Sequence, residues 1–196
     1  MKMRTRLTMA RYGRGLSPLL LVTLTALLPF GTLASDCQVT LSRSVVDYGR
    51  MTPGEGQKAL RGSLYALSEN EVVASAYCTS PQKMALFFSG TPKDGGFLFG
   101  GSGLLGVEAA QATLDGKSVK LGKTPGQGVI ALSGTAGDSA VVSNNDGLVP
   151  VINQTPQSGQ RFSVVLTLKP LMNASGLKPA DQTLLKSDLN IRVDTE

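Results

Sequence analysis

Histidine is absent from all 196 residues, and so is tryptophan. Without histidine there is no Ser-His-Asp or Cys-His catalytic arrangement. Imidazole-ligated zinc is excluded too, as is most general-base chemistry near neutral pH. Two cysteines, Cys37 and Cys78, cannot hold a structural zinc by themselves, so no metal and no cofactor is expected. The missing tryptophan rules out an antibody-type core. No apolar run is long enough to cross a bilayer as a helix, which takes roughly 20 residues. The best candidate, Leu19 to Phe30, is broken by Thr23, Thr25 and Pro29. Helical periodicity, internal repeats and interdomain linkers are lacking as well.

What the amino end has is a basic stretch, an apolar run and a small-residue site. Lys2, Arg4, Arg6, Arg11 and Arg14 precede the run, and Thr32-Leu33-Ala34 follows it. That is the pattern of a secretory signal, so residues 1–34 are expected to be removed and residues 35–196 to form one exported domain. The net charge of +5 then belongs to the signal, because the remaining 14 basic residues face 14 acidic ones. A neutral domain without a basic, aromatic-interleaved run gives no reason to expect nucleic acid as a partner. Export also makes the two cysteines read as one disulfide. Closing a loop of about 41 residues, it should contribute roughly 4 kcal/mol in the chain-entropy account.

Strand signals fill the rest. Cys37, Val39 and Leu41 alternate with polar residues, and Val45 and Val46 extend the pattern to Tyr48-Gly49. Arg50 to Gln57, with Pro53, Gly54 and Gly56, reads as a loop. Val72, Ala74, Ala76 and Cys78 share one face of a strand that Pro81 should end. Met84 to Phe88 is continuously apolar, as suits a strand buried on both faces. Leu104 to Leu114 is apolar without a clear period, and Asp115-Gly116 before Val119 signals a hairpin. Val129 to Leu132, Ala140 to Val142 and Leu148 to Ile152 are short candidates. Arg161 to Lys169 alternates well up to Pro170, and Leu185 to Val193 is the last strand. Short strands separated by turns, with one disulfide, predict an all-β, antiparallel sandwich of the immunoglobulin type.

Several chemical patterns are weak. Gly101-Ser102-Gly103-Leu104-Leu105-Gly106 matches a dinucleotide fingerprint, but a glycine-broken segment precedes it and no convincing helix follows. Ser80 with Lys83 and Ser175 with Lys178 have serine–lysine spacing but no further acyl-enzyme motif. Asn153 and Asn173 head glycosylation sequons, which read as surface loops. Asp146, Asp181 and Asp188 are too scattered for a cation. Tyr48, Tyr65, Tyr77, Phe87, Phe88, Phe97, Phe99 and Phe162 read as core rather than groove.

The order of features resembles subunits of chaperone–usher fimbriae, the pilins. The features are Cys37-Gln38-Val39-Thr40-Leu41-Ser42, Ala74-Ser75-Ala76-Tyr77-Cys78, Met84 to Gly90, Leu114 to Leu121, Gly159 to Pro170 and Leu185 to Val193. The resemblance implies a sandwich that lacks its last strand and exposes a hydrophobic groove. A periplasmic chaperone would fill the groove in transit, and an outer-membrane usher would pass the subunit on. In the fimbrium a neighbouring subunit would fill it by β-strand addition. The groove would be flanked by the first and last strands, giving Val39, Leu41, Leu189, Ile191 and Val193 as its residues. Only Ser35 and Asp36 separate the expected cleavage point from Cys37. The subunit should therefore accept a strand and donate none, as a minor or tip pilin at the cell surface with a possible host receptor. The same residues also admit a free periplasmic or secreted sandwich that binds a carbohydrate or a protein, and, more remotely, a secreted hydrolase.

Overall fold

A computed structural model describes residues 37–48, 58–59, 64–173 and 186–196. The expected signal, the Arg50–Gln57 loop, Ser175, Lys178 and Asp181 lie outside the described residues. Fifteen strands follow in chain order: β1 (Cys37–Leu41), β2 (Lys58–Ala59), β3 (Leu64–Ala66), β4 (Asn70–Gly90), β5 (Pro92–Lys93), β6 (Gly96–Phe99), β7 (Gly103–Leu114) and β8 (Lys117–Ser118). Then come β9 (Lys120–Thr124), β10 (Ser133–Gly137), β11 (Ser139–Val142), β12 (Gly147–Ile152), β13 (Thr155–Pro156), β14 (Ser158–Asn173) and β15 (Leu189–Thr195). No helix occurs among the described residues, and every strand pairing is antiparallel.

β4 belongs to two layers. Its first part pairs with β1 and β14, and β14 continues to β7 and β6. Its second part pairs with β15 and β12, and β12 continues to β9 and β10. The layers share one core: Ala74, Ala76, Phe162, Val164 and Leu166 from the first meet Met84, Leu86, Phe88, Leu121 and Leu148 from the second. Met84 to Phe88 is buried throughout, as its composition implies, because the second layer is covered on both sides. Ala85 and Phe87 point away from the shared core and pack with Val149, Val151 and Ile130. Ile130 and Leu132 therefore serve as a lid over that outer face. The expected strand at Val129–Leu132 is absent for this reason.

Three other expectations on strand length are corrected. β4 runs through Pro81. Pairing with β14 skips from Tyr77–Arg161 to Gln82–Gly159, so the exposed proline sits in an irregular stretch where its missing N–H costs no ladder bond. β14 likewise runs through Pro170. The Pro170 carbonyl accepts from Leu67 N at 3.0 Å, so that edge of the residue faces the gap between β3 and β4. β1 stops at Leu41, before Val45 and Val46. The Ser42 hydroxyl accepts the Val73 N–H at 2.9 Å and ends the ladder.

The unclear period of Leu104–Leu114 has a specific origin. Leu105, Val107 and Ala109 are buried, then Ala112 and Leu114, so the spacing slips by one at Gln111. Gln111 has φ 51° and is the extra residue of a bulge opposite Ser163–Val165. The next hairpin is as expected. Asp115 and Gly116 have φ 49° and 78°, and Leu114 pairs with Lys117 across a two-residue turn.

Candidate functional site

β1 and β15 lie beside each other on one side of the sandwich, each paired with β4. Among the described residues neither strand has a second partner, so each presents a row of unpaired backbone groups. Cys37, Val39 and Leu41 stand opposite Cys78, Ala76 and Ala74. Leu189, Ile191 and Val193 stand opposite Gly90, Phe88 and Leu86. Residues directly opposite share a face of the sheet; Cys78, Ala76, Ala74, Phe88 and Leu86 are core, and Leu189, opposite Gly90, itself packs against that core, so all five groove candidates face inward.

Their burial is incomplete. Val39, Leu189, Ile191 and Val193 pack against the core yet are only half-buried. Leu41 is 38% exposed, whereas Ala76 and Phe88 across from them are fully buried. Cys37 and Cys78 are joined as a disulfide, with Cα atoms 4.2 Å apart. This covalent tie fixes the outermost strand of the first layer to its one neighbour.

The outer side of β15 is anchored. The Glu196 carboxylate is 3.2 Å from Lys83 Nζ, and Glu196 N donates to the Lys83 carbonyl at 3.1 Å. Arg192 pairs with Asp194 at 3.1 Å and lies 5.6 Å above the Phe87 ring. Asp194 also accepts from Gly128 N at 3.2 Å. At the start of the strand a Cβ on Gly90 would fall 2.6 Å from the Asp188 carbonyl oxygen, so glycine permits the close approach. Val46 and Tyr48 return to the core beside β1, and the Tyr48 ring meets Phe99 edge-on at 5.9 Å. Burial pushes the Tyr48 phenol above its ordinary pKa, against the opposing effects of Asn70 and Arg43.

The weak motifs gain no chemistry from their placement. Gly101 and Ser102 form a turn into β7, where a Cβ on Gly103 would lie 2.6 Å from the Leu171 carbonyl oxygen. Ser80 sits on a strand, and its partner in spacing, Lys83, is engaged by Glu196. Asp146 is paired with Lys123 at 2.7 Å and Asp188 with Lys186 at 2.9 Å. Among the described residues no three His, Cys, Asp or Glu side chains cluster as a metal site would need. Phe87, Phe88, Phe97, Phe99 and Phe162 are core, while Tyr77 is 39% exposed.

Sequence reasoning did not find one feature. On the outer face of the first layer, Gln38 and Thr40 of β1, Ser75 and Tyr77 of β4 and Arg161 of β14 line a depression of about 380 Å³. Its signal was the polar half of the same alternation that gave the core. No protein-family model matches the sequence, and no curated protein matches it at a significant level.

Proposed function

We propose that this chain is a non-enzymatic, adhesive or structural subunit of a chaperone–usher fimbria, with an immunoglobulin-like sandwich that a donated strand completes. In this reading it is exported through the periplasm and held by a pilus chaperone. An outer-membrane usher then places it as a minor or tip subunit that donates no strand. The observation that carries the reading is the paired open edge: β1 and β15 are adjacent, each lacks an outer partner among the described residues, and their inward apolar side chains stay half-buried. A strand laid between them would satisfy the edge groups and bury the remaining apolar surface, worth about 1 kcal/mol for each half-buried Val, Leu or Ile.

The test is uptake of a strand. The disulfide-intact protein is melted with and without a peptide of alternating apolar residues, and coexpressed with periplasmic pilus chaperones. Peptide at a hundredfold excess over its Kd stabilises by about 2.7 kcal/mol, which for a domain of this size raises the midpoint by roughly 5–10 °C. Ile191→Asp should abolish the shift. A stable monomer that takes up no peptide and copurifies with no chaperone would refute the assignment.

A further inference from the structure

We propose that the depression on the outer face of the first layer binds a carboxylated sugar of the uronate or sialate type. It lies on the opposite face of β1 from the inward-facing Val39 and Leu41, and it does not depend on the strand-acceptor reading. Three adjacent hydrogen-bonded strands, β1, β4 and β14, carry it, so its side chains stand on a rigid floor. The floor is internally tied: the Ser75 and Ser163 hydroxyls are 2.8 Å apart, and Thr40 Oγ1 donates to the Ser75 carbonyl at 3.5 Å.

The lining has the chemistry such a sugar needs. The Arg161 guanidinium lies 5.9 Å from the centre of the Tyr77 ring. Among the described residues it pairs with no carboxylate. Asp115, near its backbone, already accepts from Gln160 N at 3.0 Å and from Arg161 N at 2.8 Å. An unpaired planar guanidinium matches a carboxylate in two-point geometry. The exposed part of the Tyr77 ring offers an apolar surface to the C–H face of a pyranose. Gln38 and Thr40 supply amide and hydroxyl groups for ring hydroxyls. A neutral sugar would leave the guanidinium unmatched, and a plain anion would use neither the ring nor the amide.

The oxidised protein is titrated with galacturonate and sialate oligosaccharides and with neutral galactose oligosaccharides of equal length, followed by saturation-transfer NMR. The acidic sugars should bind at least about tenfold more tightly than the neutral ones. Arg161→Gln should erase that preference, and Tyr77→Ala should weaken acidic and neutral binding together. Both positions are at the surface, so melting midpoints should hold; if Tyr77→Ala unfolds, Gln38→Ala must weaken binding instead. Equal affinity for acidic and neutral sugars, or an acid preference that survives Arg161→Gln, overturns the proposal. Polyglutamate binding as tightly as the sugars also overturns it, and assigns the face to an acidic peptide.

Discussion

β14 and β15 have the same kind of sequence and different surroundings. In β14, Phe162, Val164 and Leu166 alternate with Ser163, Val165 and Thr167 on the other face and are buried almost completely, because β4 and β7 flank the strand. In β15, Leu189, Ile191 and Val193 alternate just as regularly, yet each stays half-buried beside a single neighbour. Alternation thus fixes which way a side chain points, and the number of flanking strands fixes how much water it loses. β1 repeats the lesson in the first layer, and there the disulfide supplies a tie that a second strand would otherwise give.

A loss of several kcal/mol is expected at that tie. Replacing both cysteines, Cys37→Ala with Cys78→Ala, should cost about 4 kcal/mol, read from the denaturant midpoint of oxidised wild type against the variant. If stability is unchanged, β1 is held by its ladder alone and the contrast between closed and open strands loses its covalent half.

Next comes a direct comparison across one pair. Phe88 and Ile191 are opposite each other and face the same core. Phe88→Ala, at a fully buried site, should cost about 3–5 kcal/mol. Ile191→Ala should cost roughly 1–2 kcal/mol, since the side chain is only partly buried at an open edge. Equal losses in urea unfolding would mean that β15 is packed as firmly as β4. A bound donor peptide should raise the Ile191 cost toward that of Phe88.

Much of this arrangement could be read from the residues, and the misreadings share a cause. The double-sided burial of Met84–Phe88, the Asp115-Gly116 turn and the inward set of β1 and β15 are all local patterns, so the chain displays them directly. Pro81 and Pro170 misled because a proline ends a strand only if its N–H would have been used, and both fall where pairing is interrupted or handed from one strand to another. Ile130 and Leu132 misled because an apolar run can cover a sheet without joining it. The polar depression was invisible because its five residues come from three strands, far apart in sequence, and only the register aligns them.

Gln111 offers a smaller effect inside the closed half. A glutamine at φ 51° carries a left-handed penalty that glycine does not. Gln111→Gly should stabilise by about 0.5–1 kcal/mol, and Gln111→Val, β-branched, should destabilise. A loss on Gln111→Gly would show that the side chain, and not the bulge alone, sets the phase of β7.

The smallest effect is expected on the outer face of the same closed strands, where Glu108 of β7 meets Lys169 of β14 at 2.7 Å. The Lys169 hydrogen bond, then that of Ser139, holds the Glu108 carboxyl below its ordinary range, and the Glu108 hydrogen bond holds the Lys169 amine above its own. A lowered carboxyl pKa stabilises the fold above its unfolded value and is lost as pH falls through the folded one. A raised amine pKa stabilises below its unfolded value and is lost as pH rises through the folded one. The pair therefore contributes fully between the ordinary carboxyl and amine ranges and fades at both ends. With the side chains 35% and 41% exposed, solvent screening limits it to less than about 1 kcal/mol. Glu108→Gln should lower stability by that amount at pH 7 and flatten its fall toward acid, in melts across pH 3–8. A larger loss would mean that a surface ion pair, and not the two-sided packing of β14, separates the closed strands from the open ones.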